Sequence, residues 1–213
     1  MRYHMTTREV LHRLFFSDSE ENAATKVTSR LTQHGYFNRY DLYPPRTYFV
    51  LGPQAVRIMG VSPQKTKAFG PQALIREYAT LAFCCLSPEP RTRLSVRELQ
   101  ERHSELLQGK LDSSHYYLDN DGQTTRLAYI RVDFGGPPEH VVRKCKEDID
   151  DRYPHPAFKE LIDSDRFLIA VVTAREEKAA AIHDAIKRQT WQNRFRIEVV
   201  PDLVHLITRF EGV

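Results

Sequence analysis

Thr25, Lys26, Ser29, Arg30 and Gln33 recur at spacings of three and four, which place side chains on one face of a helix. All five are hydrogen-bonding types and two are cations. A short helix with that face suits a DNA major groove about 12 Å wide, where such side chains meet base edges. Arg39 and Arg46 follow among aromatic residues, placed to meet phosphates. The expected chemistry is therefore recognition without covalent steps. Ala24, Val27 and Leu31 form the opposite, apolar face, and Asn22 stands at the polar face's start.

Motifs of covalent catalysis are missing. There is no Gly-rich phosphate loop, no Gly-x-Ser-x-Gly and no His-Glu-x-x-His. His103, His115, His140 and His155 have no cysteine or carboxylate at metal-ligand spacing. His183 reads as a residue near a helix core face, and Trp191 as a packing or interface anchor. Cys84, Cys85 and Cys145 read as buried thiols. No metal and no cofactor is expected.

The elements that must position the proposed face follow from local pattern. "TTREVLHRLFF" predicts a first helix, with Thr6 and Glu9 at capping-box spacing and Val10, Leu11, Leu14 and Phe15 on one face. Ser17 with Glu20, or Asp18 with Glu21, can open the second helix, and Gly35 ends it in a left-handed conformation. "YFNRYDLYPPRTYFVL" has strand formers on both sides of a turn, a two-stranded hairpin pattern. "GPQAVRIMG" is a short helical turn. Helix, turn, helix, glycine, hairpin is the order of a winged helix-turn-helix. Only one helix precedes the recognition helix. Either the usual first helix is missing, or another chain supplies its packing surface. The acids at 18, 20 and 21 sit awkwardly for a helix approaching phosphates and favour the alternative of a protein-interaction module.

"GVSPQKTKAFGPQ" reads as a linker. The expected organisation is a winged domain over 1–62, a linker over 63–72 and an α/β domain over 73–213. In the last, "PQALIREYATLAFCCLS" and "SVRELQERHSELL" predict helices. Two strands follow around Asp121–Gly122. Next come a helix over "PPEHVVRKCKEDIDDRY", a short helix over "PAFKELI" and a strand over "RFLIAVVTA" buried on both faces. A helix over "REEKAAAIHDAIKRQ", a strand over "RFRIEVV" and a last helical turn over "PDLVHLI" complete the order. In the 138–153 helix, Val142, Cys145 and Ile149 face the core. Arg143–Glu147, Lys144–Asp148 and Lys146–Asp150 stand at i,i+4 spacing. The fold class is thus α/β (α+β), with the hairpin antiparallel and the later strands parallel.

This order resembles the restriction-endonuclease-like fold. The resemblance implies an acid on one central strand and a Glu-x-Lys on the next, holding a divalent metal and orienting water. Asp119 falls where the first acid would be, but the Glu-x-Lys positions hold Arg131 and Asp133. Lys144 or Lys146 on the next helix is the candidate for a displaced lysine. The nuclease alternative takes Asp119 and Asp133 with Lys144. Asp133, before Gly135 and Gly136, reads more simply as an acid capping a tight turn.

With the pieces in order, most of the chain resembles the plasmid replication-relaxation family. The resemblance rests on "VTSRLTQHGYFNRY", "RTYFVLGPQAVRIMG", "YIRVDFGG", "VVRKCKEDIDDRY" and "FLIAVVTAREEKAAAIHDAI". It implies a DNA-binding accessory or regulatory protein of a mobile element, with replication or mobilisation proteins as partners. The second domain would be a non-catalytic, nuclease-like assembly unit. Readout by one short helix is commonly doubled by symmetry, so a homodimer on double-stranded DNA is expected.

The bulk numbers permit this. The chain has 213 residues, 41% hydrophobic and 28% charged, with a formal net charge of +3. No apolar run approaches the roughly 18 residues of a membrane span, and the first residues lack a signal-peptide core. The expectation is a cytoplasmic protein with no membrane partner.

Overall fold

The computed structural model describes residues 1–20, 22–88, 91–107, 111–120, 122–189, 191 and 194–210. Among them the chain is a mixed α/β protein with two sheets, one of three strands and one of five.

The first residues form β1 (Thr6–Thr7), which leads into α1 (Arg8–Phe15). Thr7, not Thr6, caps α1: its Oγ1 accepts from the Val10 N–H at 3.3 Å. Thr6 is held elsewhere, paired with Phe49. Of the expected apolar face only Val10 is buried; Leu14 is 50% exposed and Phe15 70%.

The second helix, α2 (Ala23–Gln33), starts later than the capping motifs predicted, after an Asn22 whose side chain makes no capping bond. Ser17 and Glu20 therefore do not form its cap, and Glu21 lies outside the described residues. Ala24 and Thr28 are buried beneath α2. The Thr28 hydroxyl tolerates full burial because it donates to Ala24 O at 2.8 Å. At the other end Gly35 has φ +71°. The Tyr36 N–H donates to Leu31 O and the Gly35 N–H to Thr32 O, the paired bonds of a Schellman stop.

The hairpin is β2 (Phe37–Tyr43) with β3 (Arg46–Leu51), and β1 completes the sheet in the order β1-β3-β2. Gly52 then meets the end of α2. A Cβ at Gly52 would lie 2.3 Å from Gly35 O, inside any permitted contact. α3 (Pro53–Met59) follows, its Gln54 N–H donating to that same Gly35 O at 3.0 Å. Within the linker pattern, Pro63–Thr66 form a 3₁₀ turn. Thr66 O accepts from Asn38 Nδ2 at 2.9 Å and from Tyr40 Oη at 2.8 Å, which ties this segment to β2.

Next comes α4 (Pro71–Cys85), apolar nearly all round and buried accordingly. The strand β4 (Arg91–Arg93) had no counterpart in the sequence pattern. α5 (Val96–Arg102) opens with a complete capping box of Ser95 and Glu98 and stops at His103, short of the predicted span. β5 (Tyr116–Asn120) and β6 (Thr125–Val132) form the expected hairpin. Asp121 lies outside the described residues, and the Gly122 N–H donates to Asn120 Oδ1 at 2.9 Å.

The chain continues through α6 (Pro138–Arg152), α7 (Pro156–Asp163), β7 (Phe167–Thr173), α8 (Glu176–Lys187), β8 (Arg194–Val199) and α9 (Leu203–Phe210). The final segment is thus two full turns, not one. The five-stranded sheet has the order β4-β5-β6-β7-β8; β4, β5 and β6 alternate in direction and β6, β7 and β8 run parallel.

Strand β7 shows why the sheet needs two covering layers. Phe167, Ile169 and Val171 enter one core with α6, α7 and α8, through Val141, Cys145, Phe158 and Ile182. Leu168, Ala170 and Val172 enter the other with α4 and α9, through Leu74, Phe83, Leu203 and Leu206. That second core is continuous with Met5, Val10, Leu42, Tyr48 and Val50. The small sheet and the large one are therefore packed on opposite sides of shared helices.

Two side-chain expectations are corrected. Lys144 donates to Glu147 at 2.6 Å rather than pairing with Asp148, because buried Asp148 is taken by Arg131 and Arg152. His183 is exposed, since its neighbour Ile182 occupies the core side of α8. Trp191 packs on Phe195, ring centroids 5.4 Å apart. All three cysteines are free and buried.

Candidate nucleic-acid interface

α2 carries its polar face outward. Lys26, Ser29, Arg30 and Gln33 are exposed, whereas Thr25 is half-buried and its backbone oxygen accepts from Thr28. Lys26 lies 3.3 Å from Glu20, a pair so exposed that solvent screens most of its energy. Ser29, Arg30 and Gln33 make no side-chain hydrogen bond or ion pair among the described residues.

The structure brings Ser29 and Gln33 together with Arg39 along a groove between α2 and the hairpin. Arg8 also lines it, lying 5.6 Å above the Phe49 ring and donating from Nε to Thr28 Oγ1 at 3.3 Å. Sequence reasoning missed Arg8. Its signal was indirect: a cation at the first turn of α1, on the side that the Thr7 cap turns toward α2. Lys26 and Arg30 stand outside this groove.

Arg46 does not join them. It starts β3, three residues before the Phe49 that faces Arg39, so roughly 10 Å of strand separates the two arginines. Arg46 is also engaged: its Nη1 lies 3.1 Å from Glu9 Oε2 and 2.5 Å from Asp202 Oδ2. The hairpin turn is docked there, with Tyr43 stacked on His205 and Arg209 donating to Leu42 O at 3.0 Å. Arg39 is thus without a side-chain partner among the described residues, whereas Arg46 is tied to Glu9 and Asp202.

Charge is distributed unevenly. Residues 22–67 hold seven lysines and arginines against the single acid Asp41, while the whole chain is only +3. Lys65 and Lys67 belong to the segment tied to β2 and add to the same excess.

The nuclease candidates are not gathered into one site. Asp119 on β5 is opposite Arg126, near the start of β6, and Asp133 follows the end of β6. A strand rise of about 3.3 Å per residue puts the two acids about 20 Å apart. Asp119 is buried against Arg196 at 3.1 Å. Asp133 accepts from the Gly135 N–H at 3.0 Å and from Thr173 Oγ1 at 2.9 Å, a turn-capping arrangement. The lysine beside it is Lys178, at 3.8 Å, not Lys144. Arg131 is the counter-ion of buried Asp148, donating from Nε at 2.8 Å. Among the described residues, no three His, Cys, Asp or Glu side chains converge as a metal-binding group.

Two further buried ionisable groups, Glu77 and His115, lie near β4 and the start of β5. Burial raises the Glu77 carboxyl, but hydrogen bonds from His4 and Arg93 outweigh it and hold the pKa at about 2. Burial pushes the His115 imidazole down to about 4, and its Nδ1 has no partner. Neither faces the groove at α2.

No family model, no curated protein and no solved structure matches this chain. No described helix is long and apolar enough to cross a membrane.

Proposed function

We propose that this protein binds double-stranded DNA through α2 and the adjoining edge of the hairpin, as a winged helix-turn-helix whose second, restriction-endonuclease-like part serves assembly. The observation that carries the reading is the exposed polar face of α2, with Ser29 and Gln33 beside Arg39 and Arg30 on the same helix outside that groove, inside a stretch of seven cations and one acid. Free cations of one sign supply backbone affinity, and free hydrogen-bonding groups on a short exposed helix supply base readout. The resemblance to the plasmid replication-relaxation family supports a role as transcriptional regulator or as a replication or mobilisation factor, acting as a dimer on the DNA of its own element.

The test is binding to DNA from the protein's own upstream region in about 0.1 M salt. Wild type binds, and a Lys26/Arg30 double alanine variant binds much more weakly. Equally weak binding by both proteins rejects the reading.

A second reading has one observation of its own. Leu14, Phe15, Ile58 and Met59 are each at least half exposed, the first two on α1 and the others on α3. Apolar exposure of that kind suits a protein partner. Loss of all DNA affinity together with retained self-association or pull-down would favour it.

A further inference from the structure

The two helical layers part over the carboxyl ends of β6 and β7. α8 lies on one face of the sheet and α9 on the other, and between them is a cavity of about 700 Å³. This volume falls in the range of small-molecule sites. No role described above uses it.

Its lining is chemically mixed. Asp133 and Lys178 stand 3.8 Å apart and partly satisfy each other. Arg175 and Glu177 also line the space and have no partner among the described residues. The wall opposite, from α9, is largely apolar, with Val204 and Ile207 beside the Thr208 hydroxyl, which donates to Val204 O. One unpaired cation, one unpaired acid and an apolar wall complement a ligand with a carboxylate, an ammonium and an apolar side chain. The geometry points to a binding site for an apolar α-amino acid, the carboxylate toward Arg175 and the ammonium toward Glu177 and Asp133.

α9 also gives the site a route to the hairpin. Val204 and Ile207 line the cavity, while Asp202, His205 and Arg209 of the same segment hold Arg46, Tyr43 and Leu42. An amino acid seated against α9 therefore biases the hairpin that carries Arg39. This last link rests on the DNA-binding reading; the site itself does not.

The experiment is thermal unfolding and titration calorimetry of the full chain with L-leucine and L-phenylalanine. 4-Methylpentanoate and isoamylamine serve as controls lacking one charge each. Saturating leucine or phenylalanine should raise Tm by about 5 °C, and each control by much less. Arg175→Ala should weaken binding about tenfold, and Ala181→Trp, which fills the space, should abolish it while far-UV circular dichroism stays native. No Tm shift with either amino acid, an equal shift with either control, or unchanged binding by the folded Ala181→Trp protein overturns the proposal. DNA affinity is measured separately with and without leucine. Protein that binds leucine but never DNA retains this site and rejects the DNA reading.

Discussion

Arg46 Nη1 and Asp202 Oδ2 meet at 2.5 Å across 156 residues of sequence, joining the turn of the small sheet to the last helix. Asp202 is also the acceptor for Tyr78 Oη at 2.8 Å, so one carboxylate connects α4, α9 and the hairpin. An arginine so engaged must give up these carboxylates before it can meet a phosphate. Arg46→Ala is therefore expected to cost about 1 kcal/mol or less of stability, since the pair is part-exposed, and to leave the salt dependence of DNA binding unchanged. Arg39→Ala should reduce the slope of log K against log salt by about 1. Equal slope changes for the two variants would show that the hairpin turn does touch the backbone.

The face of α2 separates affinity from stability in a different way. Arg30 and Gln33 are exposed and bonded to nothing described, so replacing either by alanine should move stability by no more than about 0.5 kcal/mol. DNA binding should weaken by about 1–3 kcal/mol for each, with relaxed preference at one base position. Competition against a set of single-base operator variants measures this. Uniform loss across all sequences would reassign the residue to phosphate contact.

The sequence carried the elements better than their partners. Gly35, the β2–β3 hairpin, the buried β7 and the parallel strands after it were legible because each has a local cause: a left-handed stop, strand formers around a turn, an unbroken apolar run. The short β4 was not, since three residues containing two arginines have no strand pattern. The two arginines are buried with distant Glu77 and Glu198 as counter-ions, and Arg91 also donates to Phe83 O. The ion pair of Arg46 was not legible for the same reason, its partner Asp202 being invisible to spacing. Long-range pairing decides such cases, and pattern within a window cannot see it.

Gly52 should prove the least replaceable glycine around α2. Any Cβ there meets the Gly35 carbonyl at 2.3 Å, where two backbone segments approach and neither can yield easily. Gly52→Ala is expected to cost about 1–3 kcal/mol by overpacking. Gly60 offers the contrast. It has φ +62° but open space around it, so Gly60→Ala should cost only the left-handed strain, about 1–2 kcal/mol. Urea unfolding of both variants tests the ordering. If Gly52→Ala is the milder change, the close contact between the end of α2 and the start of α3 is not as described.

Acid should destabilise the protein in two pH windows, each with its own residue. His115 has its pKa lowered to about 4 by burial, against an ordinary value of 6.5. As pH falls below 6.5 the unfolded chain takes up a proton that the folded one refuses. Stability present above pH 6.5 is therefore lost down to pH 4, by about 3 kcal/mol in all. Glu77 acts lower. Burial opposes its ionisation, but His4 and Arg93 hold it at about 2 against an ordinary 4.5, so its contribution is intact above pH 4.5 and disappears toward pH 2. Urea midpoints measured from pH 7.5 to 3 should fall in both windows. His115→Phe should flatten the upper one at little cost at pH 7.5, since the Nδ1 it removes has no partner. Glu77→Gln should flatten the lower one but cost about 3–5 kcal/mol even at neutral pH, because it strands the buried Arg93 guanidinium. A wild-type profile flat from pH 7 to 4.5 would remove His115 from this account, and an unchanged lower step in Glu77→Gln would remove Glu77.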